Sequence, residues 1–236
     1  MSRHALAGRS ELEVFWMQRR SFMRAACAWL AMGGAAGAQA QQRSNIVELT
    51  GDVLLNGQPL RPDQTIQSGD TVITGPMSHL IFVLGDSSFQ VRQDSHLVVE
   101  RGASLSVVST LRLLTGAVVS VWGKGTQRRI VTPTATVGIR GTGTYTEVLP
   151  QQNFRSYFCN CYGTVDVNAE TEQVSSQSDY HQSFWVEPVA INGRFIFPAK
   201  AINHTDEELE FLAKLVEQRT AWQISGKKGS KDSDYY

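Results

Sequence analysis

Between Ile46 and Val148 the apolar residues come in short alternating or clustered runs, and none of them repeats at a 3.6-residue period. The runs are "NIVELTGDVLLNG", "DTVITG", "HLIFVL", "SFQVR", "HLVVE", "LSVVS", "LRLLTGAVVSVW" and "RRIVTP". Between them stand Asn56-Gly57, Ser68-Gly69-Asp70, Thr74-Gly75-Pro76, Gly85-Asp86-Ser87-Ser88 and Arg101-Gly102, residues that accept positive φ or pre-set a bend. Strand following strand at this spacing predicts an all-β domain. A barrel, a sandwich and a short solenoid of β-coils all satisfy the pattern.

From Asn153 to Pro198 the pattern is again strand-like, with "RSYFCNCYGTVDVNA", "QSFWVEP" and "NGRFIFP", and Asn192-Gly193 is a two-residue hairpin signal. The period then changes. Thr205 followed by Glu208 reads as a capping box, and Leu209, Leu212, Ala213, Leu215 and Val216 fall on one face, which predicts one helix over about Asp206 to Arg219. The polar end, "SGKKGSKDSDYY", predicts a disordered tail. The expected divisions are a leader at 1–40, a β-domain at 41–149, a strand-rich extension at 150–200, a helical segment at 201–222 and a tail at 223–236.

The first forty residues change the inventory. Arg19-Arg20-Ser21-Phe22-Met23-Arg24 precedes the apolar "AACAWLAMGGAAG" and then Ala38-Gln39-Ala40, a small-x-small cleavage site. This is similar to a twin-arginine export signal, with Met17 as an alternative start. The apolar run has thirteen residues, whereas a spanning helix needs about twenty. Cleavage is therefore expected rather than a permanent membrane anchor, and the periplasm is the expected destination. Five of the 22 basic and two of the 22 acidic residues lie in the leader, leaving 17 and 20 and a net charge of −3. That argues against a nucleic-acid partner, since neutralising phosphates requires clustered positive charge. Cys27 departs with the leader, so Cys159 and Cys161 are the thiols of the mature chain.

The order "GDVLLNGQPL", "IQSGDTVITGPMSHLIFVLGDSSFQVRQDSHLVV", "LRLLTGAVVSV" and "VTPTATVGIRGTGTYTEV" resembles the FecR domain, a periplasmic module named after a ferric-citrate signalling regulator. The resemblance covers Ile46 to Val148. Its most specific part is Thr132-Pro133 followed by Ala135-Thr136-Val137-Gly138-Ile139-Arg140-Gly141-Thr142. The regulators that gave the family its name carry a sigma-factor-binding segment and one membrane span ahead of this domain, and neither is read here. The resemblance thus implies an exported, non-enzymatic binding or signalling module, with an envelope protein or a cell-wall polymer as partner. The residues themselves predict that the stretch from Arg128 to Val148 is a strand pair closing the domain. Arg140 is expected to pair with an acid such as Asp70 or Asp86, with ligand binding as its second reading.

Cys159-Asn160-Cys161 is the most unusual local feature. Residues two apart in a strand share a face, so the thiols could form a strained disulfide, act as a redox pair, pack as inert thiols, or converge on a metal ion. The oxidised or structural reading ranks first. For the metal reading the candidate ligands are Cys159, Cys161 and His181, with His204 as another nitrogen source. Because a twin-arginine route accepts folded proteins, such an ion could be loaded before export. His79 and His96 read as ordinary strand residues. No nucleophile elbow or phosphate loop is present, so neither a catalytic residue nor a cofactor is assigned. Trp122, Trp185, Trp222, Tyr145, Tyr157 and Phe158 read as core ahead of a carbohydrate platform.

Overall fold

Turn chemistry fixes the strand pairs. The computed structural model describes residues 44–100, 104–125 and 127–229; the segment expected to be a leader, with Arg19 and Arg20, lies outside them. In the first half run β1 (Ile46–Thr50), β2 (Val53–Leu55), β3 (Gln58–Pro59), β4 (Thr71–Thr74), β5 (His79–Leu84), β6 (Ser87–Val91), β7 (His96–Val99) and β8 (Thr110–Val121). There follow β9 (Arg128–Val131), β10 (Thr136–Ile139), β11 (Gly143–Leu149), β12 (Arg155–Ala169), β13 (Glu172–Ser178), β14 (Gln182–Ile191) and β15 (Arg194–Ala199). Two helices close the described chain, α1 (Asp206–Leu215) and α2 (Ala221–Ser225). Asn56-Gly57 joins β2 to β3 and Asn192-Gly193 joins β14 to β15; both residues of each pair have positive φ, as a mirror-image hairpin turn requires.

The protein is mainly β, and five strands close into a barrel. The ring runs β8, β9, β10, β12, β11 and back to β8, with β8 and β9 parallel and the other pairs antiparallel. It closes because β8 and β12 each serve two sheets. The first part of β8 pairs with β7 and β9, and its second part pairs with β6 and β11. β12 divides in the same way, between β11 and β14 on one side and β10 and β13 on the other. The bends fall at Gly116 and Gly163, with φ of +78 and +99. A Cβ on Gly163 would lie 2.7 Å from Thr142 Cβ and 2.8 Å from the Gly141 carbonyl oxygen. Strands turn a sheet corner at such residues because only glycine combines positive φ with so close an approach.

The stretch from Arg128 to Val148 therefore supplies β9, β10 and β11, three of the five barrel strands. Pro133 sits in the short turn between β9 and β10, where Thr132 N–H donates to the Ala135 carbonyl at 2.8 Å. Two apolar cores follow from the two-residue period. Phe82, Phe89, Trp122, Ile130, Val137, Phe158 and Val165 belong to the first. Ile81, Ala117, Val119, Val121, Tyr145, Tyr157, Cys159 and Cys161 face the other way, and Leu209, Leu212, Ala213 and Trp222 of the C-terminal helices cover them.

Four expectations need correction. The 149/150 division does not separate two units, because β12 completes the barrel. "LSVVS" forms no strand: Leu105 is exposed, Val107 N–H turns back to the Ser104 carbonyl, and the Leu105 carbonyl accepts from Ser68 N–H. The single helix is two, since Glu217 adopts positive φ and Thr220 with Gln223 forms a second capping box. The tail expected from 223 begins inside that second helix.

Candidate metal centre

Strand parity places Cys159 and Cys161 on the outer face of the barrel, with Asn160 between them pointing the opposite way. The outer face is roofed by the C-terminal segment, which carries the histidines. His181 ends the turn after β13 in a left-handed conformation, φ +40, and its N–H donates to the Cys161 carbonyl at 2.9 Å. A non-glycine residue held there is strained, a condition that persists only when its surroundings fix it. His204 stands one residue before the N-cap Thr205, whose hydroxyl accepts from Glu208 N–H while the Glu208 carboxylate accepts from Thr205 N–H. That capping box fixes the point at which the chain enters α1, and with it the position of His204.

The four side chains converge. Cys159 Sγ lies 3.6 Å from Cys161 Sγ and 3.5 Å from His181 Nδ1; Cys161 Sγ lies 3.5 Å from His204 Nε2; the two ring nitrogens are 3.0 Å apart. All four donor atoms fall within 4.8 Å of one another. The residues are sealed from solvent, at 0, 0, 3 and 1 % exposure. Outside them lies a second set of contacts. His181 Nε2 is 3.0 Å from Asp206 Oδ1, and His204 Nδ1 is 2.6 Å from the Ile202 carbonyl oxygen. Asp206 also accepts from Tyr180 Oη at 3.0 Å and pairs with Lys228 Nζ at 2.7 Å. The His204 ring stacks on Tyr145 and the His181 ring on Trp222.

The electrostatics favour negative charge on sulfur. Burial pushes the Cys159 thiol up, but the hydrogen bond from Cys161 and the contacts of His204 and His181 outweigh it and hold Cys159 well below the ordinary thiol range. Burial, with the Cys161 charge beside it, pushes the Tyr162 phenol up.

The structure unites Cys159, Cys161 and His181 and adds His204 in an equal role. The sulfur separation far exceeds the S–S bond of about 2.05 Å, so the two thiols are not joined. Arg140 lies elsewhere. It is 69 % exposed and pairs with Asp166 at 2.7 Å, not with Asp70 or Asp86; Asp86 instead takes Arg128 and Asp70 takes Asn56. Trp122, Tyr145, Tyr157, Phe158 and Trp222 are buried, which leaves no aromatic platform among them. No described helix is long and apolar enough to cross a membrane.

No family model matches the chain, and no curated protein matches it. Two solved structures, each a candidate anti-sigma factor from Parabacteroides distasonis, are similar to it. One has a TM-score of 0.46 and 12 % identity over 56 % of this chain and 60 % of its own; the other has 0.46 and 13 % over 61 % and 64 %. The chain thus spans less than two thirds of either structure, and similarity at that level transfers no role.

Proposed function

We propose that this chain is a non-enzymatic module, exported to the periplasm, which binds an envelope protein or a cell-wall polymer in the manner of a FecR-like domain. One observation carries the reading. The residues of the resemblance, Thr132 to Thr142, supply the turn after β9 and the barrel strand β10, while the cluster of Cys159, Cys161, His181 and His204 is sealed from any substrate. Catalysis requires a reacting atom within reach of substrate, and a closed cluster supplies none. A binding role needs exposed apolar anchors, and Val189 and Ile191, 66 and 50 % exposed, project from the β14–β15 hairpin.

The test has two parts. Replacing Arg19 and Arg20 by Lys is expected to keep the protein in the cytoplasm, and normal export of that variant would remove the twin-arginine part of the reading. Cross-linking in intact cells is expected to trap the wild type on one saturable envelope component. The Val189→Glu, Ile191→Glu variant, folded normally, is expected to lose it. Equal trapping of wild type and variant, or none of either, would remove the binding reading.

A further inference from the structure

We infer that Cys159, Cys161, His181 and His204 form a closed tetrahedral site for a zinc-class divalent ion, and that the ion latches the C-terminal segment onto the barrel. The first argument is metric. With Zn–S of about 2.3 Å, Zn–N of about 2.05 Å and tetrahedral angles, the ligand atoms should stand about 3.8 Å apart for sulfur–sulfur, 3.55 Å for sulfur–nitrogen and 3.35 Å for nitrogen–nitrogen. The corresponding separations are 3.6, 3.5, 3.5 and 3.0 Å. Four of the six edges of the tetrahedron are thus already set to within a few tenths of an ångström, before any ion draws the ligands in.

The second argument is about protons. A carbonyl oxygen only accepts, so His204 Nδ1, 2.6 Å from the Ile202 carbonyl, carries a hydrogen. Asp206 accepts from His181 Nε2 in the same way. In the neutral rings the inner nitrogens, His181 Nδ1 and His204 Nε2, then present lone pairs to each other across 3.0 Å, with two sulfurs beside them. Four electron-pair donors turned inward on one point are arranged for a cation. Histidine ligands held through their outer N–H by a carboxylate and a backbone carbonyl are the usual outer sphere of a zinc site, where they fix tautomer and ring orientation.

Charge gives the third argument. Two thiolates cancel a divalent ion, so the buried core is neutral and escapes the cost of an isolated buried charge; Asp206 in the next sphere is offset by Lys228. Any proton still on the sulfurs is released to solvent on binding. A tetrahedral S2N2 set selects zinc over hard oxygen-seeking ions, and four protein ligands in a sealed site leave no open position, which makes the site structural. Its consequence is topological. The thiolates belong to barrel strand β12, whereas His204 belongs to the segment that leads into α1, so one ion ties the two together.

The experiment uses the full mature chain, purified without chelator. About one zinc per chain, retained through dialysis, is expected, and it is released as a mercurial binds the two cysteine sulfurs. Cobalt substitution is expected to give the intense visible ligand-field bands of tetrahedral cobalt and a thiolate charge-transfer band. Asp206→Asn, which leaves all four ligands in place, is expected to weaken zinc binding by about 10- to 100-fold without losing the tetrahedral cobalt spectrum. Metal-loaded protein is expected to resist protease between residues 199 and 205, where chelated protein is cut and the barrel survives. A folded wild type that holds no metal, with two alkylatable thiols or with a mass lowered by a disulfide, would overturn the site. So would a six-coordinate cobalt spectrum. Identical proteolysis with and without metal would overturn the latch. Cys161→Ser and His204→Gln are expected to lose the ion, but the wild-type cobalt spectrum decides the matter even if both variants unfold.

Discussion

Glu208→Ala is expected to cost about 4 kcal/mol of folding stability, although Glu208 lies in the first turn of a peripheral helix. Its carboxylate accepts from Arg92 Nη2 at 2.8 and 3.0 Å, and from Gln90 Nε2 at 3.0 Å. Arg92 is 3 % exposed, with its guanidinium 5.2 Å from the Tyr145 ring centre. Burial works against the charged guanidinium, but Glu208, Tyr145 and Glu147 outweigh it and keep Arg92 above its ordinary range. Removing one partner of a buried pair costs about 3–5 kcal/mol, because the remaining charge stays desolvated. The cost here is not relieved by the other guanidinium nitrogens, since Arg92 Nε and Nη1 are buried without hydrogen-bond partners. Loss of the capping box adds about 1 kcal/mol, while nearby Glu147 offsets part of the total. The assay is denaturant unfolding followed by circular dichroism, with the double variant Arg92→Met, Glu208→Leu completing the cycle. That variant is expected within about 1 kcal/mol of wild type, since an apolar pair of similar volume replaces both charges. A loss below about 1 kcal/mol for Glu208→Ala, or a double variant as unstable as the single one, would refute the view that this pair is buried and mutually dependent.

Gly163→Val is expected to destabilise by more than about 2 kcal/mol, measured by denaturant unfolding, because φ is +99 and the added Cβ would collide with Thr142 and the Gly141 carbonyl. Gly141→Val, with φ +71 and a Cβ placed 2.8 Å from Lys124 Cγ, is expected to cost more than about 1 kcal/mol in the same assay. Arg140→Ala is expected to change stability by less than about 1 kcal/mol, since its pair with Asp166 is largely exposed. Asp166 is held below the usual carboxylate range by the Ser175 hydroxyl first and by Arg140 second. The stability it contributes is present above its unfolded value of about 3.9 and disappears as pH falls through the lower folded value. Unfolding curves of Asp166→Asn and wild type are therefore expected to differ at neutral pH and to converge in acid.

Much of the fold was legible because its turns are chemically explicit. Asn56-Gly57, Asn192-Gly193 and the Gly85 to Ser88 turn each join the strands that the pattern predicts. Barrel closure was not legible. It depends on β8 meeting β11 and on β10 meeting β12, pairings between residues far apart in the chain that no local period encodes. The bends that permit it lie at Gly116, inside a run that reads as an uninterrupted strand, and at Gly163, which reads as a break although one strand continues through it into a second sheet. "LSVVS" fails for the converse reason: its residues are strand-like, but Val107 N–H turns back to the Ser104 carbonyl and the Leu105 carbonyl accepts from Ser68. The second helix did carry a signal, Thr220 with Gln223, but it is too short to show an apolar period.

The candidate site was half legible, and the reason lies in which distances are local. A two-residue period is enough to put Cys159 and Cys161 on one face, and Phe158, committed to the first core, decides that this face is the outer one. Nothing local says what covers that face. His204 is 43 residues from Cys161, and its position depends on where α1 begins. The capping box that fixes this start was readable from Thr205 and Glu208, so His204, immediately before it, could have been assigned a fixed location though not a partner. Asp206 was readable only as a helix-dipole residue. Its contact with His181 Nε2 shows that the same carboxylate faces the histidine. A one-residue slip of β12 would turn both sulfurs toward the first core and leave His181 and His204 facing Asn160. The apolar register of Tyr157 and Phe158 therefore governs the chemistry of the cysteines that follow.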